Sequence, residues 1–309
     1  MVRGGPPPRP LGAAIGLLGD ELLGEPPRAL HPVAAFGSVM AGVEARLYRP
    51  TRRAGVAHCA LGVALGLAAG RAVSSTAAAT ALAVAGRSLR RSAGAVADAL
   101  EGGRLEEARA LLPGLVGRDV TTLDVAGMAR AVVESVAENT VDAVVAPALW
   151  AALGGAPGVL AYRAVNTMDA MVGYRDDRYR RYGWASARLD DVAAYVPARL
   201  TAALVAAVRP GRAGAVWTAV RTQAPSHPSP NAGVAEAAFA GALGLRLGGT
   251  NHYGERAEVR PVLGAGRHPE PADIAAATAL SRHVGTALAG ALAGVGAVRL
   301  ARRRPGGRR

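Results

Sequence analysis

Residues 128–162, MARAVVESVAENTVDAVVAPALWAALGGAPGVLAY, decide the fold class. In the first half Arg130, Glu134, Glu138 and Asp142 recur every four residues, the repeat that lines side chains along one stripe of an α-helix. At ~1.5 Å per residue, Glu134 and Asp142 would stand roughly 12 Å apart with Glu138 between them. Over residues 143–162 the charges after Asp142 stop, and an apolar run follows that is about as long as a helix needs to cross a bilayer. The stripe therefore leads into an apolar span, and its acidic end is expected to be buried. A solvated helix face with Arg130 paired to Glu134 is the plain alternative. The functional reading is preferred because an ionisable group beside a membrane span is costly unless it is paired or at work.

Further apolar runs occupy residues 54–70, continuing past Arg71 to about 86, and residues 284–298; weaker ones lie at 11–23 and 200–208. Their many Gly and Ala residues suit close helix packing within a membrane. Residues 104–115, RLEEARALLPGL, repeat Leu at helical spacing and read as an amphipathic helix stopped near Pro113. Residues 122–142 read as another, with Asp124 as cap for a helix starting near Val125. No long strand-like alternation emerges. The expected fold is all-α: a polytopic integral membrane helical protein with amphipathic helices and loops on the cytoplasmic side. Its boundaries are a disordered Gly/Pro-rich tail at 1–10, one helical domain at 11–300 and a basic tail at 301–309. A soluble helical bundle is the competing architecture.

Composition agrees with a mixed membrane and aqueous character. Half of the 309 residues are hydrophobic, with 40 Gly and 20 Pro, and the mean hydropathy of +0.19 lies above that of most soluble chains. The net charge is +13, and with no lysine in the sequence all 36 fixed side-chain cations are arginines. These are scattered, without an aromatic-interleaved stripe or zinc-finger spacing, which argues against nucleic acid as a partner. Anionic lipid headgroups, with the Arg-rich C-terminal tail included, and phosphorylated substrates are better uses of the charge. A lone Cys59 in an apolar run excludes an intramolecular disulfide framework and a Cys-based metal cluster, and reads as a small buried hydrophobe. The apolar stretch after residue 10 carries Asp20 and Glu21 and no cleavage site, so no cleaved signal peptide is expected.

Two more segments could carry chemistry. In residues 161–200 Asn166 and Asp169 share a helical face, and Arg188, Asp190 and Asp191 cluster before another apolar stretch. Such oxygen donors suit a magnesium ion bridging nucleotide phosphates, and Arg gives bidentate phosphate contacts; a plain ion pair of Arg188 with Asp190 or Asp191 explains them equally well. In residues 226–256 a Pro-punctuated loop with Ser229 and Asn231 precedes a helix and could present amides and hydroxyls to a phosphate. Gly248-Gly249 could let backbone approach a ligand, or simply stop the helix. His227 and His252 lack a partner at zinc-ligand spacing, so metal-free roles are preferred. Neither a Walker-A loop nor a dinucleotide fingerprint occurs.

The stretches LLGDELLGEPPRALHPVAAFG, VGRDVTTLD, ESVAENTVDAVVAPALWAALGGAPGVLAYRAVNTMDAMVGY, GWASARLDDVAAYVPARL and SPNAGVAEAAFAGALGLRLGGTNHYGE, with VAGRSLRRSAGAV between the first two, resemble the CobD/CbiB family of cobalamin biosynthesis, adenosylcobinamide-phosphate synthase. They come in the family's order from about residue 11 onward. Departures are Gly24-Glu25-Pro26 for a usual GDP, Thr250 for a usual Pro, and Arg163 and Arg175 for usual lysines, the last two exchanging a point donor for a planar fork. The resemblance implies a multi-pass cell-membrane enzyme, its active site facing the cytoplasm, that condenses adenosylcobyric acid with aminopropanol or its O-phosphate at the expense of ATP with magnesium. Non-catalytic corrinoid binding or transport is the alternative. On this reading Glu134, Glu138, Asp142, Asp190 and Asp191 are catalytic candidates, and Glu138, Asp142 and Asp169 are the metal ligands. Asn139, Asn166, Asp169, Arg188, Ser229, Asn231, Gly248, Gly249 and Tyr253 are candidates for substrate binding. A homo-oligomer is compatible with all of this.

Overall fold

The computed structural model describes residues 7–24, 31–117, 119–253 and 256–303. Glu25 and Pro26, the departure noted above, most of the 1–10 tail and residues 304–309 lie outside them. The architecture is helical, as expected, and among the described residues four helical stretches are long and apolar enough to cross a membrane: Arg52–Ala72, Val125–Val172, Trp184–Val208 and Pro271–Arg302. The chain forms two compact units, one of residues 1–85, 146–193 and 288–309 and the other of residues 86–145 and 194–287.

The first unit contains α1 (Arg9–Leu23), α2 (Pro32–Leu47), α3 (Arg52–Ala72), α4 (Thr76–Ala83), α8 (Ala146–Val172) and α9 (Tyr179–Tyr182), with the start of α10 (Trp184–Val208) and the end of α13 (Pro271–Arg303). The expected continuation of the 54–70 run to about 86 does not occur: the helix ends at Ala72, and Ser75 caps a new one by accepting the Ala78 N–H at 3.2 Å. Three residues, Val73–Ser75, make that break, because the extended Val73 and Ser75 leave helical geometry and the Ser hydroxyl satisfies a new N-terminus. Helices α3 and α8 pack antiparallel through glycines. A Cβ at Gly66 would sit 2.8 Å from the Leu160 carbonyl oxygen, and one at Gly62 would run into the Met168 sulfur. Small residues allow this approach of two backbones, the packing favoured between membrane helices. Cys59 is buried with Met40 and Met168, in the apolar role expected of it.

The second unit contains α5 (Gly86–Glu101), α6 (Leu105–Leu111), α7 (Val125–Thr140), α11 (Ala213–Thr222) and α12 (Ala232–Leu243), with the rest of α10 and α13. The helix expected at 104–115 ends at Leu111 and tightens into a 3-10 turn at Leu112–Gly114, as Pro113 requires. Asp124 caps α7 by accepting the Gly127 N–H at 2.7 Å. Five residues, Val141–Val145, continue α7 as a π-helical turn. A further difference from expectation is a two-stranded antiparallel hairpin, β1 (Leu247–Tyr253) and β2 (Arg256–Leu263), with a register shift between Leu247 and Gly249. The sequence conceals β1 because Gly248 and Gly249, at φ 85° and 100°, form the irregularity inside the strand, and paired glycines read locally as a turn or helix stop.

Candidate functional site

In the second unit the α7 stripe divides at Glu134. Glu134 is 4% exposed, and its Oε1 accepts the Gly248 N–H at 2.8 Å. Arg130, one turn earlier, donates to the Gly248 carbonyl and, at 3.3 Å, to that of Thr250. One residue of the hairpin, Gly248, is thereby held at both its N–H and its C=O by side chains of a single helix. Glu138 is exposed and Asp142 half-buried, so burial is deepest in the middle of the stripe, opposite to the expectation that the acidic end is the most buried. Local geometry explains part of this, since the π-turn carrying Asp142 widens the helix and breaks the every-four alignment. Ser135 Oγ donates to the Leu115 carbonyl at 2.7 Å, and Asn139 Nδ2 donates back to the Ser135 carbonyl at 2.9 Å, which anchors this part of α7.

The 227–231 loop is tightly organised at the start of α12. Ser229 Oγ accepts the Ala232 N–H at 3.1 Å and the Asn231 N–H at 3.4 Å, so the amides expected to meet a phosphate are capped by the loop's own serine. Asn231 is buried, and its Oδ1 accepts from Arg199 Nη1 at 3.0 Å. His227, also buried, places Nε2 2.9 Å from Arg260 Nη1 and 3.7 Å from Glu236 Oε1, with Nδ1 3.1 Å from the Ser229 carbonyl. Nδ1 also lies 3.1 Å from the Ser229 amide nitrogen, so it faces both the donor and the acceptor of that residue. Of Tyr253 only the backbone, in β1, is described.

In the first unit, α8 and α10 bring a second set together. Asn166 Nδ2 donates to Asp190 Oδ1 at 3.4 Å, while Asn166 Oδ1 accepts from Arg163 Nη1 at 3.2 Å. Arg188 Nη1 lies 3.6 Å from Asp191 Oδ2, the pairing that its sequence position suggested. Asn166, Asp169, Asp190 and Asp191 are all half-buried, in helices whose other faces are apolar. Among the described residues no three His, Cys, Asp or Glu side chains are grouped to hold a metal ion. Of the expected metal ligands, Glu138 and Asp142 belong to the second unit and Asp169 to the first.

The description of the family CobD/Cbib protein matches residues 13–281, most of the chain. The chain belongs to the CobD/CbiB family. It is similar to the cobalamin biosynthesis protein CobD of Mycobacterium tuberculosis (strain CDC 1551 / Oshkosh), 50% identical over 289 residues covering 89% of this chain and 92% of that protein. Proteins of the same name from Pelobacter propionicus and Chromobacterium violaceum are each 43% identical, covering 83% and 86% of this chain and 85% and 90% of their own lengths. No solved structure matches the chain.

Several polar residues of this CobD/CbiB chain escaped the reading of its sequence. Glu236 stands alone in the apolar run AGVAEAAFAGAL, a signal that could have been taken up, since a lone charge in such a run must be paired or functional. Arg199 and Arg260 gave no local sign. In the first unit Glu44, 9% exposed, accepts from Arg178 Nη2 at 3.0 Å and from the Tyr179 hydroxyl at 2.9 Å. Burial, with the nearby Glu44 charge, pushes the Tyr182 phenol up to about 12.

Proposed function

We propose that this CobD/CbiB chain is an ATP-dependent amide ligase that joins aminopropanol, or its O-phosphate, to a propionate carboxylate of adenosylcobyric acid. The observation that carries this beyond family membership is the α8–α10 set: Asn166 against Asp190, with Arg163, Arg188 and Asp191 beside them, inside helices apolar enough to cross a membrane. Ionisable groups in that setting are expensive and mark a working site.

A carboxylate does not acylate an amine at neutral pH, because its oxygen is a poor leaving group. Transfer of the ATP γ-phosphoryl group to the acid solves this: the carboxylate oxygen attacks phosphorus, ADP departs, and the amine then displaces phosphate from the acyl phosphate. Arg163, Arg175 and Arg188 offset phosphate charge as it develops. The attacking amine must be neutral, and Asp190 or Asp191 takes the proton it loses. Magnesium, when bound, would neutralise phosphate charge. Asp169, in the same unit as that set, is a hard oxygen donor of the kind it takes. A grouping of three carboxylates is not required, since magnesium keeps waters and is commonly held by one or two carboxylates plus the substrate's phosphates.

The test is incubation of purified protein with ATP, a magnesium salt, adenosylcobyric acid and aminopropanol phosphate. Formation of ADP with a corrinoid mass increase is expected, and Asp190→Ala should lower turnover by at least about a hundredfold through loss of the proton acceptor. Corrinoid binding without ADP formation would replace the ligase with a binder or transporter.

A further inference from the structure

At one end of the first unit the membrane-length helices terminate in a ledge of arginines and aromatic rings. Antiparallel packing of α3 and α8 brings residues 44–53 beside residues 174–184, and these two segments hold eight arginines against three acids. At the other end of α3 the last turn holds one arginine, Arg71, and the following turn Val73–Ser75 carries no charge. On the ledge the Arg52 guanidinium lies over the Trp184 ring at 4.9 Å, and that of Arg178 lies over Tyr48 at 4.6 Å and over Tyr179 at 5.2 Å. Buried Glu44 ties one side of Arg178 down at 3.0 Å, yet the arginine side chain stays 58% exposed. Its remaining donors are thus oriented and open to water.

Two properties of this ledge select its partner. Tyr174 and Trp184 are 56% and 39% exposed at the ends of α8 and α10, and rings with an apolar body and a polar tip are stable at the boundary between hydrocarbon and headgroups. Arginines fixed at that level beside them meet phosphates, to which a guanidinium donates in a planar fork. We infer that this Arg–Tyr–Trp ledge lies at the headgroup level of the membrane and binds the phosphate groups of anionic phospholipids in preference to zwitterionic ones. The inference is independent of the ligase proposal and rests on the membrane-length helices and on the arginines and rings at their ends.

The full chain, purified in detergent and reconstituted in vesicles of phosphatidylcholine with or without phosphatidylglycerol, tests it by native mass spectrometry of the retained lipid. Phosphatidylglycerol should be retained over phosphatidylcholine. Arg178→Gln should cut that preference, as should the double change Arg53→Gln and Arg181→Gln, which alters exposed residues outside the Glu44 contacts and leaves folding intact; each arginine removed is expected to weaken it about five-fold. Equal retention of the two lipids, or a double variant indistinguishable from the unaltered chain, overturns the inference. So does displacement of phosphatidylglycerol by inorganic phosphate or ATP, which would assign the ledge to a soluble anion.

Discussion

Glu134 shows how a single residue takes its role from its surroundings. Its position in a charged stripe made it a catalytic candidate, but the carboxylate is buried and holds the Gly248 N–H, with Arg130 on the carbonyl of the same residue. This geometry suits a residue that positions the hairpin. Glu134→Ala leaves a buried amide without an acceptor and should cost about 2 kcal/mol, read as a lowered midpoint in thermal unfolding in detergent. Glu134→Gln keeps an amide oxygen at the same place and should recover much of that loss. Equal midpoints for the alanine variant and the unaltered chain would show that the carboxylate does not hold the strand. Gly248 carries a related constraint: at φ 85° its Cβ would meet the Pro261 carbonyl, so Gly248→Ala is expected to destabilise by about 2 kcal/mol through backbone strain and crowding.

At the scale of elements, capping and small-residue packing set where helices start and how closely they approach. The Asp124 carboxylate accepts from Gly127 and starts α7 at the residue its sequence position implied. Asp124→Ala should cost about 1 kcal/mol, and Asp124→Ser should restore most of it, both measurable by the same unfolding assay. The α3–α8 contact is less forgiving. A valine at Gly66 would force its side chain toward the Leu160 carbonyl and Ala164, and the helices would have to part, at about 2 kcal/mol or more. Should Gly66→Val unfold no sooner than the unaltered chain, the two helices are not packed as closely as described. The hairpin was the element least visible beforehand, because two left-handed glycines interrupt the alternation by which a strand is recognised.

For the whole molecule, four helices of membrane-spanning length and apolarity predict that the protein sediments with membranes and is released by detergent, not by high salt. Recovery in the supernatant without detergent would restore the soluble helical bundle. The helical class, the approximate positions of the apolar spans, the Asp124 cap, the burial of Cys59 and family membership could all be read from the sequence, because each depends on periodicity, composition or neighbours a few residues away. Tertiary structure decided the rest. It joined Glu134 to Gly248 across 114 residues and Asn166 to Asp190 across 24, and it buried Glu134 while leaving Glu138 exposed. The physical reason is that a side chain's burial and partners are fixed by which faces pack together, and a local pattern of charges specifies a face without specifying what will cover it.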